Sequence, residues 1–188
     1  MGCPVNFSGL LVSYACGEIA SGGLKTVYLA DKATLTELGA INVSTGSAVI
    51  TISGASLQAD LVAESNNLLQ LGFNNKDGFS NFTDVKTVNA DGSASVVPTI
   101  TMEFLRMNAD KRAALEEIAT PGAEIVAFVE TAAGTKHLVG FDFGLYAGTV
   151  DGASGAARTD KNRYQLTLVG EENVLAYPIA DSEWNKLV

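Results

Sequence analysis

Apolar and polar residues alternate with a period of two in six stretches of this chain, and that period predicts strands rather than helices. Leu24 to Ala30 is partly apolar on both faces, the pattern of a strand buried on two sides. Between Ala48 and Ser53, the residues Ala48, Ile50 and Ile52 share one face. From Thr99 to Phe104 the apolar face is Ile100, Met102 and Phe104, with the threonines and Glu103 on the polar face. Glu124 to Glu130 sets Ile125, Ala127 and Val129 on one side and Val126 and Phe128 on the other, again a strand covered twice. His137 to Leu145 predicts one strand, with His137, Val139, Phe141, Phe143 and Leu145 on one face and Gly140, Asp142 and Gly144 on the other. Last, Tyr164, Leu166 and Leu168 alternate with Arg163, Gln165 and Thr167.

Two turn signals join strands into hairpins. A short Gly134-containing loop links Glu130 to Lys136, and Asn89-Ala90-Asp91-Gly92-Ser93 carries the Asp-Gly pair that hairpins favour. One helix stands out. Asn108 can cap it, Asp110 in its first turn suits the helix dipole, and Ala114, Leu115, Ile118 and Ala119 form one stripe. Lys111 falls inside that stripe and must snorkel, and Thr120-Pro121-Gly122 ends the helix. Asp31 to Leu38 is a weaker helical segment, with Asp31 as its cap and Thr34 and Thr36 counting against it. The expected fold is mainly β (α+β): an antiparallel β-sandwich or barrel with one flanking helix. No repeat or composition break divides it, so residues 1–188 read as a single domain.

Asn66 to Pro98 stands apart. Its ends read as strands, while its middle is polar and carries Phe73, Phe79 and Phe82. A connection of this length needs a reason in a compact domain. It is either a surface hairpin packing on its own body or a projecting arm, a long hairpin or loop, that reaches a neighbouring subunit.

The net charge of −9 argues against gripping nucleic acid through phosphates, which requires a cationic surface. With 47% hydrophobic residues and mean hydropathy +0.20 the chain is not disordered. No apolar run approaches the roughly 18 residues of a spanning helix, and Met1 to Asn6 lacks the cationic start of a signal peptide. Cys3 and Cys16 have neither zinc-site spacing nor a second pair, and read as free thiols, with a disulfide between them the alternative. Asn6, Asn42 and Asn81 begin glycosylation sequons that carry no weight without a secretory leader.

No catalytic signature stands up. His137 is the only histidine and lies among apolar residues, there is no Gly-x-Ser-x-Gly elbow, and no phosphate-binding loop occurs. The adjacent pairs Glu116-Glu117 and Glu171-Glu172 point apart on a regular element, so they do not converge as acid and base. A calcium loop around Gly78 fails because Phe73 would occupy its first ligand position. Arg158, Lys161 and Arg163 form the one basic cluster, read as an inter-subunit pairing spot or a solvated loop. The expectation is no enzyme, no cofactor and no metal.

In the C-terminal third, the run His137-Leu138-Val139-Gly140-Phe141-Asp142-Phe143-Gly144-Leu145 leads over a Gly/Ala/Ser loop to a last long strand. That strand is Asp160-Lys161-Asn162-Arg163-Tyr164-Gln165-Leu166-Thr167-Leu168-Val169-Gly170-Glu171-Glu172, and an apolar tail through Tyr177-Pro178 follows. This order, with the preceding helix and Glu124 to Glu130, resembles the tail tube (major tail) proteins of tailed bacteriophages, particularly those of phages infecting Bacteroidetes. The match spans Asn108 to Pro178; the earlier part fits in strand content alone.

The resemblance implies a virion structural subunit that assembles, in the host cytoplasm, into stacked and commonly hexameric rings. It implies a homo-oligomer joined to other tail proteins, with DNA passing through the lumen and not bound by sequence. A negative net charge agrees, since a wall that repels the backbone lets the polymer slide. The residues 66–98 arm would serve stacking, with Phe73, Phe79 and Phe82, and Trp184 near the C-terminus, as the expected interface contacts. The rival expectations are another phage structural role (neck, tail terminator or head decoration) and a bacterial ligand-binding domain, which would need a pocket with convergent polar groups.

Overall fold

The computed structural model describes residues 22–44, 49–63, 68–75, 80–157 and 159–187. The elements run β1 (Leu24–Asp31), α1 (Lys32–Leu38), β2 (Ile41–Ser44), β3 (Val49–Ile52), α2 (Leu57–Ala63), β4 (Leu69–Gln70) and β5 (Asn81–Val88). They continue through β6 (Ala94–Leu105), α3 (Ala109–Ile118), β7 (Ile125–Thr131), β8 (Lys136–Val139), β9 (Leu145–Ala153), β10 (Arg163–Gly170), β11 (Tyr177–Pro178) and α4 (Asp181–Trp184). The fold is mainly antiparallel β, as the alternation predicts. One large sheet has two halves, β4-β1-β7-β8-β11 and β9-β10-β6-β5, and β2 pairs with β3 as a separate hairpin. The halves meet through a single pair, Ile125 with Leu145.

Burial explains why the sheet folds over. Val27 and Leu29 of β1, Ala127 and Val129 of β7 and Val139 of β8 share one core with Ile100 and Met102 of β6 and Leu166 and Leu168 of β10. Leu115 of α3 enters the same core. The opposite side of β7, Val126 and Phe128, joins Leu138 in a second core with Leu35 of α1, Ile50 and Ile52 of β3, and Leu57 and Leu61 of α2. The two apolar faces expected of Glu124 to Glu130 therefore serve two different cores.

Local chemistry fixes the helices. The Asp31 carboxylate accepts from the Thr34 amide and hydroxyl, both at 2.8 Å, and Gly39 closes α1 in the left-handed region at φ 55°. Asn108 Oδ1 accepts from the Lys111 amide at 2.9 Å, and Lys111 Nζ reaches back to the carbonyls of Leu105 and Arg106, the expected snorkel. Among the described residues there are, beyond the flanking helix α3, three shorter ones, of which the sequence pattern announces α1 alone.

The stretch expected to be one strand from His137 to Leu145 is two strands and a corner. Gly140 (φ 79°) and Gly144 (φ 86°) turn the chain, and a Cβ at Gly140 would stand 2.8 Å from the Ile125 carbonyl. Both need glycine. The alternation continues through the turn in sequence but not in space: Phe143 is exposed, whereas Leu138 is buried. The corner hands the chain from β8 in one half to β9 in the other.

Candidate functional site

The Asn66 to Pro98 stretch divides into two parts. Leu69 and Gln70 lie along β1, paired with Leu29 and Tyr28. Asn81 to Val88 forms a hairpin with β6, and β5 is the last strand of its half, bonded on one side to β6 and on the other to no described strand. Its tip is closed by the Asn89 amide on the Ser93 carbonyl at 2.8 Å and by the Asp91 carboxylate, which accepts from the Ser93 hydroxyl (2.6 Å) and amide (2.9 Å). Those two bonds hold the Asp91 carboxyl below its ordinary range. β10 pairs with β6 only over Thr99 to Leu105, so from Pro98 to the tip the hairpin is a two-stranded ribbon save for one bridge, from Val96 to Glu172.

Three of the four aromatic residues expected at an interface pack on the chain's own body. Phe82 is in register with Ile100 and faces inward against the first core, its ring 5.8 Å from the His137 ring. Phe73 also packs against that core. Trp184 sits beside Tyr28 (ring centroids 5.8 Å) with the Lys136 ammonium 5.6 Å over its ring. Phe79 lies outside the described residues, as do Cys3, Cys16 and Arg158. The ribbon's exposed large apolar side chains are valines. Val85, opposite Val97, is 56% exposed and Val88 is 68% exposed. The sequence carries that signal in the alternation Thr83, Val85, Thr87, which aromatic residues overshadow.

The ribbon is anchored at Val96, which faces Lys86 in the third pair from the tip. Val96 and Glu172 exchange backbone hydrogen bonds at 3.0 and 2.8 Å. The Glu172 side chain, 8% exposed, accepts from the amides of Asp142 (3.0 Å) and Phe143 (3.4 Å) in the glycine corner. On β5, Asp84 Oδ2 accepts from the Ala176 amide at 2.6 Å, while Asp84 Oδ1 and the nearby His137 Nδ1 are buried without a partner. Burial pushes the Glu172 carboxyl up to about 7, and the Asp142 charge adds to it, against the pull of the two amides. Burial lowers the His137 imidazole, with Asp84 opposing. Glu171 points to solvent, so the Glu171-Glu172 pair diverges as expected.

A second buried carboxylate lies across the sheet. Glu103, placed on the polar face by the alternation, is fully buried. Asn74 Nδ2 (2.8 Å), Lys161 Nζ (3.1 Å) and Arg163 Nη1 (2.8 Å) converge on it. Burial pushes its carboxyl up, but these three partners together hold it below the ordinary range. Two members of the expected basic cluster are thus engaged inside the chain. The rest of that segment also has structural work: Asp160 accepts from the amides of Ala156 and Ala157, both at 2.8 Å, and Asn162 Oδ1 accepts from the Met107 amide at 2.7 Å. The residues that carry the resemblance bind the end of β6 to β10.

Among the described residues no group of His, Cys, Asp and Glu is placed to hold a metal ion, and no helix is long and apolar enough to cross a membrane. No family model, curated protein or solved structure matches the chain.

Proposed function

We propose that this chain is a tail tube subunit, a virion structural protein that assembles with copies of itself into stacked rings through which DNA passes. The observation that carries the reading is β5, an eight-residue strand at the edge of the sheet among the described residues, on a ribbon that exposes Val85, Val88 and Val97. A long open edge with apolar side chains is an aggregation hazard unless another strand pairs with it, and closed rings of identical subunits supply that strand. The antiparallel sheet with its flanking helix supports the reading, as does the net charge of −9. So does the resemblance over Asn108 to Pro178.

Electron microscopy of the purified protein, over a concentration series, tests it: stacked rings are expected. The variant carrying Val85→Lys and Val88→Lys should stay monomeric with an unchanged melting temperature, because neither valine is buried. A wild-type chain that stays monomeric throughout, in solution and on the grid, overturns the reading.

A further inference from the structure

We propose that Glu172 is a proton-operated strut that sets how firmly the β5–β6 hairpin is held to the glycine corner between β8 and β9. The inference concerns one chain by itself and does not depend on the assembly reading. Glu172 touches both parts at once. Its backbone is bonded in both directions to Val96 in the outer half of the hairpin, and its carboxylate holds the corner amides of Asp142 and Phe143. Displacing this one residue breaks all four bonds together.

Among the described residues the surroundings supply no counter-charge. From the corner comes Asp142, from β11 Tyr177 with its hydroxyl 3.5 Å from Asp142 Oδ1, from β5 Asp84, and from β8 His137 beside Asp84. Among the described residues none of Asp84, Asp142 and Glu172 belongs to an ion pair. Burial disfavours the charged form of His137, against the pull of Asp84, so the imidazole is a poor source of the missing cation. A buried carboxylate with a second carboxylate beside it and no cation is stable when protonated and strained when ionised. Burial moves both neighbours away from the range in which Glu172 changes charge, His137 downward and Tyr177 upward. Protonated Glu172 keeps the strut seated. Ionised Glu172 gains by moving toward water, which pulls its backbone from Val96 and frees the outer half of the hairpin.

Amide hydrogen exchange of the whole chain at pH 6 and pH 8.5, corrected for intrinsic rates, reads this directly. Protection at Val96, Asp142, Phe143 and Glu172 should fall at least tenfold between the two, while that at Ala127 in the core stays level. Glu172→Gln should abolish the fall, and His137→Asn should keep it. Asp142→Asn, which removes the neighbouring charge, should move the fall to lower pH. Equal wild-type protection at both pH values, or the same fall in Glu172→Gln, overturns the proposal. Should the variants not fold, the carbon-13 titration of the wild-type Glu172 carboxyl decides: a midpoint below 5 overturns the proposal, and one near 7 that tracks the loss of Val96 protection supports it.

Discussion

Glu103 and Glu172 are both buried carboxylates, and they are built in opposite ways. Glu103 has an asparagine amide and two cations reaching in from partly exposed positions. Glu172 has two backbone amides and a second carboxylate for company. Both lose hydration, so burial alone does not decide whether a carboxyl stays charged; the sign of what surrounds it does. One arrangement fixes the sheet, and the other leaves a joint sensitive to protons.

Perturbing each site should separate them. Glu103→Ala should produce the largest loss, about 2–4 kcal/mol at neutral pH, since it strands Lys161 and Arg163 and opens a gap at β6. Chemical denaturation measures it, and a loss under about 1 kcal/mol would make the network ornamental. Glu172→Gln should have the opposite sign: at pH 8 the variant should be more stable than wild type by about 1–3 kcal/mol, with the gain gone by pH 4.5. The sign follows from linkage. The folded carboxyl titrates near 7 and the unfolded one near 4.5, so between those values the folded chain binds more protons and stability falls as pH rises. Glu103 runs the other way. Its carboxyl is depressed in the fold, so its stabilisation is present above the unfolded value and is lost as acid takes the pH down through the folded one. A melting-temperature profile from pH 3 to 9 should therefore peak between the two titrations, and the peak should broaden toward high pH in Glu172→Gln.

Arg163→Lys should cost less, about 1 kcal/mol, because one Nη1 bridges Glu103 and the Gln165 side chain and a lysine ammonium does not reproduce that planar fork. Glu171→Gln, one residue from the strut but facing solvent, should change stability by less than about 0.5 kcal/mol at any pH. A large effect there would show that general charge, and not the seat of Glu172, governs the pH profile.

The sequence announces one of these two sites poorly and the other hardly at all. Alternation placed Glu103 on the polar side of its strand, which is correct for the backbone. Its burial depends on Lys161 and Arg163, 58 and 60 positions away, and on Asn74 crossing the strand, and no local pattern contains that. Glu172 looks like half of a surface pair until the chain folds its neighbour Asp142 against it. Where side-chain periodicity matched a buried surface, the reading succeeded: β7 with its two faces, β10, and the capped helix after Asn108. It failed at Gly140 and Gly144, because the apolar period runs on through a corner that only close backbone approach demands. The helices α2 and α4 are too short to have a period of their own. Leu57 and Leu61 in the second core define α2, and the packing of Trp184 on Tyr28 positions α4. Of the two alternatives for the residues 66–98 stretch, Phe82 follows the one that packs on the chain's own body, because its register with Ile100 turns it in.

β7 contributes side chains to both cores, alternating residue by residue between them. Denaturing either side strips one flank of the same ribbon, and the other flank then loses its floor. The chain has no natural halfway point in melting, and calorimetry should record one transition where the two separate clusters would suggest a pair.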